Sequence, residues 1–282
     1  MNTDSLYRFL FQQRNVRGEL VQLSDSLDQM LLNHDYPLPV KQLLAELVAA
    51  TSLLTATLKL DGDIAVQLQG DGPVRFAAVN GSDQQQFRAV VRMQAEISGS
   101  GFRDLIGEGY LLVTITPKQG ERYQGIIPLS GDSLTSTLEA YFAQSEQLPT
   151  RLYLYTDIQQ VHNRAAGFML QVLPVDQDKA KADFADLVML SDTLTRDEIF
   201  NLPAEQLLYR LFHQEQVELF PSQPVSFVCG CSREKCSAAI ISLGREVINE
   251  HIATGQLDIS CEYCNKTYHF DKADLHALLL QL

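Results

Sequence analysis

Several features are scarce or missing in this sequence, and each shortage excludes a class of protein. It has no tryptophan, and 35 acidic residues outnumber 22 lysines and arginines, which gives a formal charge of −13. Because non-specific binding to nucleic acid depends on Lys and Arg that neutralise phosphates, this balance disfavours a nucleic-acid partner. Residues 1–20 contain no basic segment followed by an apolar core of the signal-peptide type. We therefore expect a cytoplasmic protein, in which thiols stay reduced and structural disulfides are rare.

Long apolar runs and nucleotide-binding loops are missing as well. The most apolar long stretch, residues 46–60, carries four hydroxyl residues and is too short to span a bilayer, so it predicts a buried helix. No G-x-x-x-x-G-K-[ST] motif occurs, so we expect no ATP-dependent activity. The turn "LQGDGP" has two glycines, but no helix start of the phosphate-loop type follows it. We expect neither a membrane nor ATP as a partner.

Residues 1–178 mix helices with alternating strands. A helix is expected to begin after Pro37 and Pro39, and the alternation over residues 64–68 is typical of a half-buried strand. The next strand should end in a turn at Asn80-Gly81. Later segments predict a hairpin turn at "KQGE", a helix over 133–147, and strands at "TRLYLYTD" and "GFMLQVLP". Short strands joined by tight turns indicate a largely antiparallel α+β domain.

Residues 179–220 have a different character, because they are charged, helical in pattern and poor in glycine. Thr195 and Glu198 fit a capping box at the start of a helix, and Pro203 suits the first turn of the next. The four apolar residues that then share one helical face are Leu207, Leu208, Leu211 and Phe212. This region is either an ordinary helical subdomain packed on the body or a linker whose apolar face has a function.

All five cysteines lie in the last fifth of the chain. Cys229 and Cys231 form a C-x-C pair, and Cys261 and Cys264 form a C-x-x-C pair. Two close pairs of thiolates supply the four soft ligands that zinc prefers, so they predict a metal site. Cys236 could replace a member of the first pair, but the helix predicted from "SREKCSAAIISLGREVI" would carry it away from the loop. A further spare candidate, His269 in "KTYHF", lies in a strand-like run and is expected to be a packed residue or a surface donor.

The cluster permits three interpretations. It is a structural zinc, a disulfide or iron–sulfur centre, or a redox switch in which the metal holds thiolates until an oxidant takes them. The acidic, Trp-free composition gives no support for electron transfer. Both pairs are close enough in sequence to close as disulfides, but spacing alone does not separate a switch from a structural site.

Longer motifs extend beyond the cysteines. They include "YRFLFQQRNVRGELVQL", "LQGDGPV", "GERYQGIIPLSGDSL", "YFAQSEQLPTRLYLY", "CGCSREKC" and "CEYC". With these motifs the chain closely resembles, nearly from end to end, the family of the redox-regulated 33-kDa heat-shock protein, a cytosolic holdase chaperone. The resemblance implies an α+β protein with an N-terminal domain (1–178), a helical linker (179–220) and a small C-terminal zinc-binding domain (221–282). The first domain contains the mostly antiparallel sheet with its helices.

The resemblance also implies a mechanism. The reduced form would hold one zinc through Cys229, Cys231, Cys261 and Cys264, with Cys236 outside the ligand set, and would be a poor chaperone. Peroxide with mild unfolding, or hypochlorite, would form the disulfides Cys229–Cys231 and Cys261–Cys264, release zinc and unfold the C-terminal domain. If the linker packs on that domain, its apolar face (Leu207, Leu208, Leu211 and Phe212) would then be exposed and would bind unfolding client proteins without ATP. The active form would be a homodimer through the N-terminal domain.

Other classes of function make different predictions. A zinc-ribbon module that binds nucleic acid would need a basic face with stacking aromatics, which this acidic chain does not favour. A thiol oxidoreductase using Cys261 and Cys264 would turn over a disulfide substrate, whereas the resemblance implies no enzymatic activity. A zinc hydrolase is excluded by chemistry, because four thiolates leave no open coordination position for water.

Overall fold

The structure is a computed structural model that describes residues 4–57, 61–174 and 177–282, without the side chains of 177–181. The chain forms two compact units. Unit 1 comprises the chain up to residue 31 together with Asp35–Phe227, and unit 2 comprises Leu32–His34 together with Val228–Leu282. The predicted division into an N-terminal domain (1–178), a linker (179–220) and a switch domain (221–282) stays a prediction, because it assigns a separate function to each part.

Unit 1 contains two sheets. The first has the strand order β10-β1-β2-β9-β8, with β11 also paired to β1, and the second has the order β12-β5-β4-β3-β6-β7. In the described residues every pair is antiparallel except β12 with β5. The strands of these sheets are β1 (Ser5–Phe11), β2 (Val16–Leu23), β3 (Gly62–Gly70), β4 (Val74–Ser82), β5 (Gln86–Met93), β6 (Gly109–Pro117), β7 (Tyr123–Pro128), β8 (Thr150–Ile158), β9 (Asn163–Val172), β10 (Val217–Leu219), β11 (Gln223–Pro224) and β12 (Ser226–Phe227).

Helix α2 (Leu38–Thr57) is the central core helix of unit 1. It contacts strands of both sheets, and residues of α2 and of the two sheets share one apolar core. Its length and composition would suit a membrane span, but 72% of the apolar window is buried inside the fold. The predicted buried helix is therefore confirmed, although it begins before Pro39 and its predicted end at 58–60 lies outside the described residues.

Shorter helices complete the body of unit 1. Ser133 accepts a hydrogen bond from the Ser136 backbone N–H and so caps α4, which continues into a π-helical turn, Phe142–Glu146. The helix predicted over 133–147 is thus confirmed. The helices are α1 (Asp25–Leu31), α3 (Phe102–Ile106) and α4 (Leu134–Tyr141).

One predicted turn is wrong. Asn80 and Gly81 do not end β4 but pair with Arg88 and Phe87 of β5, and the reversal follows Ser82. A Cβ at Gly81 would lie 2.1 Å from the Phe87 ring, so this glycine serves close packing within the strand.

Three helices cover the outer face of the first sheet: α5 (Gln177–Ser191), α6 (Arg196–Asn201) and α7 (Ala204–Phe212). The predicted capping box is present, with Thr195 accepting from the Glu198 backbone N–H and the Glu198 carboxylate accepting in return. The four predicted face residues of α7 are all buried, and the Phe212 ring packs on Phe9, Phe11 and Phe168. The sheet of unit 1 therefore supports this face, which agrees with the interpretation of this region as helices packed on the body.

An ionic clamp fixes α5 and the segment that follows α7 to the β1–β2 turn. Arg14 donates to Asp183 of α5 over 2.6 Å and to both carboxylate oxygens of Glu215, which follows α7, over 2.9 and 3.2 Å. The Asp183 side chain is only 8% exposed, so it depends on this guanidinium for its charge partner. The carboxylates raise the pKa of Arg14 through these hydrogen bonds, and the clamp keeps a full positive charge.

Unit 2 is a small α/β unit built around a hairpin. Strands β13 (Gln256–Ser260) and β14 (Thr267–Asp271) pair antiparallel, and three helices cover them: α8 (Arg233–Leu243), α9 (Arg245–Thr254) and α10 (Lys272–Leu279). The single helix predicted after Cys231 is broken at Gly244, whose φ of +89° favours glycine. The core centres on Ile240, Ile248, Phe270 and Leu275. The α+β class predicted for the chain is confirmed.

Candidate metal centre

The four paired cysteines meet in unit 2. Cys229 and Cys231 lie in the loop before α8, whereas Cys261 and Cys264 lie in the turn between β13 and β14. The sulfurs of Cys229 and Cys261 are 3.6 Å apart, those of Cys231 and Cys264 are 3.5 Å apart, and all four lie within 4.8 Å of one another. Zinc–sulfur bonds of about 2.3 Å in a tetrahedron place neighbouring sulfurs roughly 3.8 Å apart, so the four cysteines are positioned to bind such an ion.

Local hydrogen bonds shape the second cysteine turn. The Asn265 N–H donates to the Cys261 carbonyl over 2.7 Å, and the Cys261 N–H donates to the Lys266 carbonyl over 3.0 Å. Asn265 adopts a φ of +52°, a conformation that asparagine tolerates better than most residues. The turn therefore directs both sulfurs to one side.

The first cysteine loop is fixed by the start of α8. Ser232 caps this helix by accepting from the Lys235 N–H, and the Lys235 ammonium donates to the Gly230 carbonyl over 2.5 Å. Gly230 stands between Cys229 and Cys231, so this bond holds the backbone of the first cysteine loop.

A segment from the beginning of the chain completes unit 2. The Asn33 amide donates to the Cys264 carbonyl over 3.1 Å, and the Asn265 amide donates to the Asn33 carbonyl. The His34 ring lies 3.2 Å from the Tyr263 carbonyl oxygen. The backbone of the second cysteine turn is thus held by residues that are more than 200 positions away in sequence.

The sulfurs differ in their electrostatic surroundings. The Tyr268 hydroxyl donates to Sγ of Cys231 over 3.3 Å, and this bond lowers the pKa of that thiol to about 7. Burial raises the pKa of Cys229 to about 12, and burial also raises the pKa of Cys264. The hydrogen bond to Cys231 in turn raises the pKa of the Tyr268 phenol. The Cys231 sulfur is therefore stabilised as a thiolate by its neighbours, whereas burial disfavours the thiolate forms of Cys229 and Cys264.

The two spare candidates lie outside this group. Cys236 is buried in α8, where it packs in the core of unit 2, and burial raises the pKa of its thiol. His269 is a surface residue of β14, and its ring bonds to the Asp258 carboxylate over 2.8 Å. The geometry agrees with leaving both residues out of the ligand set.

Comparison with known proteins places this geometry in a family. A model of the family described as "Hsp33 protein" matches residues 4–271. The chain belongs to the Hsp33 family. It is 49% identical to the 33 kDa chaperonin of Pseudoalteromonas translucida over 98% of each chain. It is 51% identical to the 33 kDa chaperonin of Serratia proteamaculans, over 98% of this chain and 95% of that one.

A solved structure shares the Hsp33 fold of this chain. The crystal structure of a 33 kDa chaperonin, a heat shock protein 33 homologue from Thermotoga maritima, superimposes with a TM-score of 0.86. The alignment covers 99% of this chain and 98% of that one, at 20% sequence identity. The resemblance inferred from the motifs is confirmed.

Sequence reasoning missed the residues that contact a sulfur or hold the two cysteine loops. Tyr268 and Lys235 stand close to the cysteines in sequence, but neither residue type is a metal ligand that spacing would reveal. Asn33 and His34 carry no signal at all, because only the folded chain brings them to the second cysteine turn.

Proposed function

We propose that this protein is a redox-regulated, ATP-independent holdase chaperone of the cytoplasm, without enzymatic activity. The observation that supports this function best is the meeting of four sulfurs from two loops in a small unit. The membership of the Hsp33 family and the name chaperonin borne by its relatives support a role in binding other proteins.

In the reduced state Cys229, Cys231, Cys261 and Cys264 hold the metal. Zinc, when bound, keeps the four sulfurs as thiolates and ties their two loops together. Zinc binding contributes on the order of 10–16 kcal/mol in small zinc domains, whereas a core of this size supplies under about 5 kcal/mol. Unit 2 therefore depends on its sulfur ligands to remain folded.

Oxidation removes those ligands in pairs. A thiolate attacks one oxygen of hydrogen peroxide, an S–O bond forms and the O–O bond breaks, so that a sulfenic acid remains on the sulfur and hydroxide leaves. The neighbouring thiolate attacks that sulfur, an S–S bond forms and a second hydroxide leaves. Each pair, Cys229–Cys231 or Cys261–Cys264, loses two electrons, and with two protons the peroxide becomes two waters. Unit 2 then loses its metal and unfolds.

Helices α5, α6 and α7 form a helical segment that precedes Val228–Leu282 of unit 2 in the chain. Unfolding of unit 2 acts on this helical segment through the covalent connection between them. One residue, Val228, separates β12 from Cys229, and β11 and β12 have only two residues each, so they are easily frayed. Loss of these strands frees the chain that leads back to α7. The face of Leu207, Leu208, Leu211 and Phe212 then leaves the aromatic cluster on the first sheet and binds the apolar surface of unfolding clients.

The remaining partners follow from the same proposal. Unfolding clients bind the exposed face, and the active form is a homodimer through unit 1. The formal charge of −13 keeps the open form soluble and gives no attraction for nucleic acid.

The proposal is tested by following zinc and client protection together. The reduced protein is treated with hydrogen peroxide at mild heat, released zinc is measured with a chromophoric chelator, and light scattering follows a client that aggregates on heating. We expect about one zinc per chain to leave, and suppression of aggregation to begin only afterwards. Zinc that stays bound, or that leaves with no gain in protection, would contradict the proposal.

A matched pair of variants sharpens the test. Cys264→Ser should fail to hold a full equivalent of zinc, whereas Cys236→Ser, which removes a thiol from the same unit, should keep the zinc content of the natural protein. Turnover of a disulfide substrate that is lost in Cys264→Ser would instead favour a thiol oxidoreductase. Salt-sensitive binding to single-stranded DNA would favour a nucleic-acid module.

A further inference from the structure

Tyr268 places a hydroxyl on one sulfur of the cluster. Its oxygen lies 3.3 Å from Sγ of Cys231, within the distance of a hydrogen bond to sulfur. Tyr268 is not itself a ligand of the predicted set, and its bond is to one of the four sulfurs. This asymmetry distinguishes Cys231 from the other three.

The position of this hydroxyl is fixed by the fold of unit 2. Tyr268 pairs with Ile259 in the β13–β14 hairpin, and its side chain is 8% exposed. The alternation of β14 directs Tyr268 and Phe270 into the core, whereas Thr267 and His269 face solvent. The ring therefore cannot rotate away without disturbing the core, so the hydroxyl stays aimed at the sulfur.

A cation strengthens the same donor. Lys266 precedes β14 and lies two residues before Tyr268, and its ammonium lies 5.2 Å from the centre of the Tyr268 ring. A positive charge over the ring withdraws electron density from the phenol, which makes its O–H a better donor. The backbone of Lys266 meanwhile accepts from the Cys261 N–H over 3.0 Å, so its own position is tied to the cysteine turn.

We propose that Tyr268 is a positioning residue of the cysteine cluster, which withdraws electron density from the Cys231 sulfur and so slows oxidation and loss of metal. In the first step of oxidation a sulfur lone pair attacks peroxide, the O–O bond breaks and hydroxide leaves. A hydrogen bond to that lone pair must be weakened before the attack, which raises the barrier at Cys231. The same bond orients the sulfur in the ligand set, as partners of metal ligands generally do. This inference rests on the proposed function for its biological meaning, but its chemistry concerns the sulfur alone.

The test compares Tyr268→Phe with Thr267→Val. The first variant keeps the ring and removes only the hydroxyl, whereas the second removes a hydroxyl from the solvent face of the same strand. Each reduced protein is loaded with Co²⁺, and the thiolate-to-cobalt charge-transfer band is recorded. Metal release in hydrogen peroxide is then followed with a chelator. For Tyr268→Phe we expect the band to move to lower energy and release to be about tenfold faster, since loss of a ligand's outer partner typically changes metal affinity by 10–100-fold. Thr267→Val should change neither quantity.

A second variant covers the case in which Tyr268→Phe fails to fold. Lys266→Met keeps the ring, the hydroxyl and the backbone acceptor, and removes only the charge over the ring. Its band should move in the same direction with release accelerated by about twofold, a smaller effect than loss of the whole hydrogen bond. If the band position and the release rate of Lys266→Met both equal those of Thr267→Val, the inference is overturned.

Failure of the proposed function would look different. If peroxide releases metal from every variant but none protects a client, the holdase proposal fails, while the shift of the charge-transfer band still decides the role of Tyr268. If client protection follows metal loss in every variant but the band does not move in Tyr268→Phe, the holdase proposal stands and the role of Tyr268 is refuted.

Discussion

Replacement of Arg14 by methionine should loosen the helical segment without any oxidant. The substitution keeps much of the apolar stem but removes the charge that holds Asp183 and Glu215. Asp183 is 8% exposed and would remain as a buried carboxylate without a cation, in a fold where its second oxygen already lacks a partner. A lost charge-assisted hydrogen bond of this kind costs about 2 kcal/mol. Local opening of α5 and α7 should therefore become about 30-fold more frequent.

Hydrogen–deuterium exchange followed by mass spectrometry measures this opening directly. Peptides from α5 and α7 of the reduced, zinc-loaded variant should exchange faster by that factor, while peptides from α2 should be unchanged. Arg75→Met is the matched control, because Arg75 is exposed and, among the described residues, its side chain bonds to Gln94 over 3.5 Å. Equal exchange of α5 and α7 in the two variants would show that the clamp does not hold the helical segment, and the reasoning would be refuted.

Three further predictions concern buried positions of unit 1. Burial raises the pKa of Glu19 from 4.5 to about 7. The contribution of this carboxyl to the free energy of unfolding is therefore complete below pH 4.5 and is lost as the pH rises to about 7. Glu19→Gln should abolish this loss of about 3 kcal/mol, measured as the urea midpoint by circular dichroism between pH 5 and 8, and an unchanged pH profile would contradict it. Phe212→Ala should cost about 3–5 kcal/mol and give client protection in the reduced protein, whereas protection that still requires peroxide would argue against α7 as the client face. Gly81→Ala should lower the thermal midpoint through a clash with Phe87 worth at least about 1–3 kcal/mol, but a neutral effect would restore the turn interpretation.

The sequence predicted best those parts of the fold that have one buried face. Strand β3 alternates visibly because one side of the second sheet packs inward, and the capping box at Thr195 is a local feature that needs no tertiary contact. Strands β1 and β2 gave no such alternation. The first sheet has α2 on one face and the helical segment on the other, so Phe9 and Leu6 are both buried although they point to opposite sides.

The same distinction applies to the candidate site. Spacing of the cysteines reflects two short loops, and such local patterns are readable in one dimension. The hydroxyl of Tyr268 reaches a sulfur only because the β13–β14 register turns its side chain inward. The partner of the α7 face could not be identified either, since an amphipathic helix shows that a face is buried but not against which element.

The contribution of Leu32–His34 to unit 2 has a practical consequence for dissecting the protein. A peptide that begins at Val228 would carry every sulfur, yet its second cysteine turn would lack the backbone partners that Asn33 and His34 provide. The compact unit that contains the cysteines is therefore discontinuous in the sequence. Titrations of metal into such a peptide would describe an incomplete site, and its apparent affinity would rise if a short synthetic peptide spanning residues 32–34 were supplied in trans.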